Sequence, residues 1–370
     1  MPIPQEQLFD YVIPALLSLF SGVFIFNKDV DLRAVLNKID RNTATTLGYL
    51  LLGISYFFDI LSIIGVPGVK SIVSFTYYLK FIGSMCFLFS PSLRNYFVIA
   101  IVYFGLAAEA LRGAVFIDFF VWSTYFFLVA SLRYGLALKI RSLFIVLAIP
   151  LIIVVQSVKV EYRNATWTGK QKSGIGLFKE LTEKKQKREN DPFEKSEGVV
   201  RTVGRLNQGW HLGLVLRWVP RKVNFSDGED FKGDLEGTLL PRIFFPEKKV
   251  IGSQDKFYKY TGHKLHNTTA MTIGVLGDFY INFGRTGSFI ALFVFGAIVS
   301  RILYLFLKKH VLNNPINIIW IPFLFSYLIR ANNDFYVVLN SFVKGYLLFL
   351  AISFLHRQFW PSRVVHDTKL

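Results

Sequence analysis

The sequence predicts an all-α, polytopic membrane protein: a bundle of about nine transmembrane helices with one large polar loop that itself carries amphipathic helices. Three observations predict it. Of 370 residues, 52% are hydrophobic and 38 are Phe, which is more apolar surface than a soluble domain of this size can hide. That surface is gathered into stretches able to cross a hydrocarbon core of about 30 Å, which takes roughly 17 to 25 mostly apolar residues in a helix. The Lys and Arg of the short loops fall on alternate connections, and loop charge of that kind sets the orientation of neighbouring spans.

In chain order, the first span is Tyr11 to Phe26. The preceding Met1-Pro2-Ile3-Pro4-Gln5-Glu6 has no positive residue and no small-residue cleavage site, so the span is read as permanent and not as a removed signal. Thr46 to Val66, Ser71 to Ser90, Tyr96 to Arg112, Ala114 to Ala130 and Ser142 to Val158 follow as further apolar runs. Beyond a long polar stretch come Ser288 to Phe306, Ile316 to Ile329, which is short for a span, and Phe335 to Leu355. The expected organisation is therefore N-terminal spans over 1–158, a loop over 159–270 and C-terminal spans over 271–370.

The formal charge is +17, and its placement matters more than its sum. Short basic loops lie at Lys28, Arg33, Lys38 and Arg41, at Arg94, at Arg133, Lys139 and Arg141, at Arg301, Lys308 and Lys309, and in the tail at Arg357, Arg363 and Lys369. Assigning them to the cytoplasm puts the N-terminus outside, the C-terminus inside and the long loop outside. The loop is itself basic, but long loops translocate largely regardless of charge. No nucleic-acid partner is expected; membrane lipids are.

Within the loop, Lys170 to Glu197 is rich in Lys and Glu, and Lys184-Lys185-Gln186-Lys187-Arg188 reads as a solvated face or arm. Val199, Val203, Leu206, Trp210, Leu214 and Trp218 then recur at helical spacing with Arg and Gln between them, the pattern of an amphipathic helix lying on the outer membrane surface and ended by Pro220. Asn224 to Gly237, rich in Gly and Asp, is expected to form a loop. Leu240-Pro241-Arg242-Ile243-Phe244-Phe245-Pro246-Glu247-Lys248-Lys249 is cationic and Pro-flanked, and Gly277-Asp278-Phe279-Tyr280-Ile281-Asn282-Phe283-Gly284-Arg285 is a Gly-punctuated re-entry into apolar sequence. Together they place positive groups beside a membrane face, where an anionic lipid-linked substrate could be held.

Ionisable groups at bilayer depth cost free energy and tend to face a cavity or a partner. Glu109 and Arg112 are one helical turn apart; they read either as an intrahelical ion pair or as Arg112 facing a cavity with Glu109 as its orienting partner or as a base. Asp59, Lys80, Asp118 and Lys344 read as snorkelling or paired between helices. Arg330 with Asn332, Asn333 and Asp334 forms a polar link placed to line the same vestibule. The single cysteine, Cys86, lies in an apolar run; it permits no intrachain disulfide and no Cys-based metal site, and reads as a small core residue. Gly-rich phosphate loops, paired-His zincin helices and Ser-elbow motifs do not occur.

At this point the residues carry a resemblance. Leu111-Arg112-Gly113 at a helix end, a long loop with Asp227-Gly228-Glu229-Asp230-Phe231, then the Pro241-Arg242 to Lys248 stretch and Gly277 to Gly284 resemble, in order and rough spacing over about the last two-thirds of the chain, the Wzy-type polymerases of bacterial O-antigen, capsule and exopolysaccharide assembly. Asp278 stands where that family more often has Glu, and Lys249 where Pro is common. The resemblance implies a GT-C-like glycosyltransferase of the bacterial plasma membrane, active on its extracytoplasmic face. Such an enzyme moves a growing glycan from undecaprenyl diphosphate to a hydroxyl of the next lipid-linked repeat unit. It also implies a chain-length regulator or other polysaccharide assembly proteins as partners.

A diphosphate gains charge as it leaves, so fixed cations stabilise the transition state more than the ground state. Arg112, Arg242, Arg285 and Lys248 are the expected diphosphate contacts, with Arg330 a fifth. A base for the acceptor hydroxyl is sought among Asp278, which alternatively caps the re-entrant turn, and His263 and His266, which alternatively are plain loop residues. No Asp-x-Asp stands in an outer loop, so metal-independent chemistry without a cofactor is expected. An O-antigen ligase-like transferase and a lipid-linked oligosaccharide flippase or exporter share many of these features; a flippase would more often show internal repeats. Asn164-Ala165-Thr166, Asn224-Phe225-Ser226 and Asn267-Thr268-Thr269 fit a glycosylation pattern, which is without meaning if the source is bacterial, as the resemblance implies.

Overall fold

The computed structural model describes residues 2–26, 30–66, 69–169, 172–188, 209–239, 253–265, 271–328 and 333–360. Among these residues all regular structure is helical, and six stretches are long and apolar enough to cross a membrane: Gln5–Phe24, Arg41–Ile64, Leu93–Gly113, Leu138–Trp167, Val275–Val311 and Phe335–Phe359. They carry six of the nine expected spans. We label the helices α1 (Gln5–Phe24), α2 (Leu32–Asn37), α3 (Arg41–Ile64), α4 (Val69–Thr76), α5 (Leu79–Cys86), α6 (Leu93–Gly113), α7 (Ile117–Tyr134), α8 (Leu138–Trp167), α9 (Ile175–Arg188), α10 (Gly209–Trp218), α11 (Glu229–Leu239), α12 (Ser253–Thr261), α13 (Val275–Phe306), α14 (Ile321–Phe325) and α15 (Phe335–Phe359).

The other three expected spans take different forms. Ser71 to Ser90 is divided into α4, α5 and a short 3-10 turn, Phe87–Phe89; the break at Tyr77 and Tyr78 lets both Tyr77 and Lys80 reach one carboxylate, Glu109. Ala114 to Ala130 becomes α7, which takes in Asp118 and Arg133 and is not among the six. Ile316 to Ile329 becomes a 3-10 helix, Pro315–Trp320, followed by α14, with Pro315 and Pro322 in their first turns. Proline lacks the amide hydrogen that a continuous helix would need there. Ile329 lies outside the described residues.

The chain falls into two compact units that interleave along the sequence: Met1–Val30 with Asn207–Leu355, and Asp31–Leu206 with His356–Leu370. In the first, α1 lies along α13. A Cβ on Gly22 would stand 2.1 Å from the Phe293 carbonyl oxygen, and one on Gly296 would stand 2.3 Å from that of Leu19, so these two glycines set how closely the backbones meet. The buried Tyr11 hydroxyl bonds the Leu276 carbonyl at 2.9 Å and the Ser288 hydroxyl at 3.1 Å, tying α1 to both sides of a break in α13. That break is Gly284, with φ 67 and ψ −172, a region only glycine enters cheaply. The Ile281 carbonyl would accept from Arg285 in an unbroken helix; here it accepts from the Ser226 amide at 2.9 Å.

The expected surface-lying amphipathic helix is corrected in its described part, α10. Leu212, Leu214 and Val215 share a core with Leu8, Phe257 and Phe279, and α10 packs against α1, α12 and α13, so its apolar side is covered by protein. Residues 199–208 of that expected helix lie outside the described residues, and the expected loop over Asn224 to Gly237 is helical from Glu229 onward, as α11.

In the second unit α3 packs against α5, whose residues, Cys86 included, are all buried. The helix α9 docks on α8: Leu177 joins Ala110, Phe116, Val155 and Tyr162 in a small core, and the Lys185 ammonium donates to the Ser157 carbonyl at 2.6 Å. The charge run that begins at Lys184 thus belongs to a packed helix and not to a free arm.

Candidate functional site

In the first unit, the start of α13 and the start of α15 cap each other. Asp334, just before α15, accepts at Oδ1 from the amides of Ile273 at 2.7 Å and Gly274 at 2.9 Å, the residues that lead into α13. Asp278, in the first turn of α13, accepts at Oδ2 from the Phe335 amide at 2.8 Å. Helix starts present amide hydrogens without intrahelical partners, and a carboxylate beside them is favourable on both hydrogen-bond and dipole grounds. The exchange sets two like charges close together. Lys256, from α12, compensates: its ammonium lies 2.9 Å from Asp278 Oδ1 and 3.4 Å from Asp234 Oδ2 on α11. All four side chains are buried.

The electrostatics follow from this count of three carboxylates to one ammonium. Burial pushes the Asp334 carboxyl up to about 7, with the Asp278 charge adding to the rise. Burial likewise pushes Asp234 up to about 6, with Lys256 opposing and Asp278 assisting. For Lys256 burial alone would lower the pKa, but the three carboxylates outweigh it and hold the ammonium above its ordinary value. Around this centre, the Asn282 side chain accepts from the Phe231 amide at 3.0 Å and donates to the Asp278 carbonyl at 2.8 Å, while the Tyr260 hydroxyl donates to Asp230.

Beside the cluster runs a groove of about 460 Å3 between α11, α13, α14 and α15, lined by apolar side chains alone. Its α13 wall extends from Phe279 to Ile302, across the Gly284 break. One end is aromatic: Phe231 stacks on Phe335 with ring centres 4.2 Å apart, and Phe279 meets both edge-on.

The sequence-predicted residues are distributed as follows. Asp278 is 1% exposed, with one oxygen on Lys256 and the other on the Phe335 amide; neither is open to an acceptor hydroxyl. His263 is exposed, its ring edge-on to Trp210. Arg285, next to the helix break, is exposed and donates from Nη2 to the Asp10 carbonyl at 3.0 Å. Arg242, Lys248, His266 and Arg330 lie outside the described residues. Glu109 and Arg112 belong to the second unit, and the ion pair considered between them is not formed. Glu109 instead meets the Lys80 ammonium at 3.4 Å and accepts from the Tyr77 hydroxyl. Lys80 also lies 3.5 Å from Asp59 and 3.9 Å from the Tyr77 ring centre. Arg112 is exposed, and its side chain has no ion-pair partner among the described residues.

Sequence reading missed Lys256, Asp234 and Asn282. A signal existed for two of them: Lys256 shares a helix face with Phe257 and Tyr260, and Asp234 with Phe231 and Leu235, positions where a charge on an apolar stripe calls for a buried partner. Among the described residues no set of three or more His, Cys, Asp or Glu is placed to hold a metal ion; the place a cation would take among these carboxylates belongs to Lys256. Comparison with known protein families, curated proteins and solved structures finds no match for this chain.

Proposed function

We propose that this protein is an integral-membrane glycosyltransferase that polymerises oligosaccharide repeat units carried on undecaprenyl diphosphate at the outer face of a bacterial plasma membrane. The observation that carries the reading is the groove. A substrate anchored by a hydrocarbon chain needs an apolar track that ends beside polar chemistry, and this track is apolar throughout, crosses the break in α13, and has the exposed Arg285 two residues beyond its Phe283 wall. Leu235 lines it as well, on the helix that leads to the stretch carrying Arg242 and Lys248.

In the reaction, a hydroxyl oxygen of the acceptor repeat unit bonds to the anomeric carbon of the donor glycan. The carbon–oxygen bond to the carrier diphosphate breaks, the electron pair leaves with the diphosphate, and the hydroxyl proton passes to a base. Arg242, Lys248 and Arg285 would stabilise the charge that grows on the leaving group. Asp278, held by Lys256 and Phe335, is assigned to structure; among the described base candidates in this unit, His263 keeps an exposed ring.

The test is an assay of the purified protein in lipid with a lipid-diphosphate-linked repeat unit, products resolved by length, and Arg242→Ala as the control. A ladder that vanishes in the variant supports the polymerase. Transfer of one block to a different acceptor points to the ligase-like alternative. One observation favours a further reading, a flippase or exporter: Asp59, Lys80 and Glu109 form a cluster of ionisable side chains within apolar helices, which in membranes often marks a transport path. Transbilayer movement of the same lipid in liposomes without any ladder would establish that reading and reject the polymerase.

A further inference from the structure

We propose that Lys256 and Asp278 are positioning residues for the apolar groove, holding its aromatic end in the shape that receives a hydrocarbon chain. The inference rests on the reading of the groove as the site of a lipid-linked substrate, and it names residues that touch no substrate.

The aromatic end is built by Phe231, Phe279 and Phe335, which come from three different helices and meet as one cluster. Apolar contact alone is non-directional and would allow these rings several arrangements. Each is instead tied through its backbone to the polar cluster. The Phe335 amide donates to Asp278 Oδ2, the Phe231 amide to Asn282 Oδ1, and Phe279 follows Asp278 directly along α13. Asn282 in turn donates to the Asp278 carbonyl. Lys256 supplies the ammonium that faces Asp278 Oδ1, at 2.9 Å. Without its ammonium, Asp278 and Asp234, both buried, would lose the charge that holds them together, and a buried carboxylate left without a partner is strongly destabilising where it stands. A displaced Asp278 carries its Oδ2 away from the Phe335 amide, and the Phe335 tie weakens. Lys256 also reaches Asp234, one residue before the groove-lining Leu235, so one ammonium registers α11, α12 and α13 at the end of the groove.

The experiment compares the full chain in detergent micelles as wild type, Lys256→Met, Lys256→Arg and Asn282→Ala, the last being the milder change should Lys256→Met fold poorly. Undecaprenyl monophosphate is the binding probe, and backbone amide exchange at Phe231, Ile273, Gly274 and Phe335 is followed in parallel. We expect probe affinity to fall roughly tenfold in Lys256→Met and a few-fold in Asn282→Ala, a difference in the fit of a preformed site. Lys256→Arg, which keeps the charge, should stay near wild type. In turnover, the change should appear in KM for the lipid-linked donor with kcat retained. Unchanged affinity in both Lys256→Met and Asn282→Ala would overturn the proposal. If wild type itself does not bind the probe, the lipid reading fails by that result alone, and the positioning claim is decided by exchange. Faster exchange at Phe335 and Phe231 in Lys256→Met, restored in Lys256→Arg, upholds it; equal exchange in all four proteins overturns it.

Discussion

Asp278→Asn separates the two roles the sequence leaves open for this residue, a base for an acceptor hydroxyl and an ordering group at the helix start. Asn is nearly isosteric, so packing around the 1%-exposed side chain is kept and only charge and donor pattern change. At 2.9 Å from the Lys256 ammonium, the lost attraction is about 6 kcal/mol gross at an effective dielectric constant of about 20. Two terms oppose that loss. The variant no longer buries the Asp278 charge, and Asp334 and Asp234, both raised in part by that charge, ionise more easily. Lys256 also keeps Asp234 at 3.4 Å. The net cost should therefore fall near the low end of the range for breaking a buried ion pair, about 3 kcal/mol. For a chain of 370 residues that lowers the unfolding midpoint by about 4 °C, read by thermal unfolding in detergent with and without the lipid-linked donor. A variant as stable as wild type yet inactive in transfer would refute the reasoning and return Asp278 to the role of base.

Two further outcomes follow from the first unit. Gly296→Leu places a side chain where even a Cβ would meet the Leu19 carbonyl at 2.3 Å and the Val23 nitrogen at 3.0 Å; backbone cannot step aside as a side-chain tip can, so α1 and α13 must separate, at a cost of about 1–3 kcal/mol or more, seen as a lower midpoint and as lost cross-linking between cysteines placed across that seam. The polar cluster gives the stability an unusual pH dependence. Asp234 and Asp334 titrate in the folded protein at about 6 and about 7 against roughly 4 when unfolded. The folded state therefore holds more protons between those limits, and these groups make stability fall as pH rises from about 4 to about 7, by up to about 1.4 kcal/mol per pH unit for each. Lys256, raised in the folded state, keeps its contribution throughout that window and loses it only in strong alkali. Midpoints measured from pH 4.5 to 8.5 should decline toward neutrality, and Asp334→Asn should flatten the decline; a wild-type midpoint that rises across the window would contradict the assignment.

Much of the architecture is legible from composition and spacing because membrane spans answer to length and apolarity, which are local properties. The six long helices match six expected spans, and the Gly-punctuated entry to α13 contains the backbone break, at Gly284. What periodicity cannot supply is the identity of distant partners. Glu109 has Arg112 one turn away along its helix, yet its partners are Lys80 and Tyr77, because a side chain at depth in an apolar bundle pairs with whatever charge the packing of other helices brings. The apolar positions around Leu214 in α10 suit a membrane surface or a protein core equally, and only the arrival of α1, α12 and α13 selects the core.

By itself, then, the sequence determined that this is a helical membrane protein, where most of its spans lie, and that its C-terminal half gathers cationic and Gly-rich stretches beside apolar ones, since hydrophobicity and backbone freedom are carried residue by residue. Only the tertiary structure decided that Asp278 is held between Lys256 and the start of another helix, that Asp234 and Asp334 join it, and that an apolar groove opens alongside. Those outcomes depend on residues from α11, α12, α13 and α15 being desolvated together. The cost of burying each charge is met only by the partners that the fold delivers.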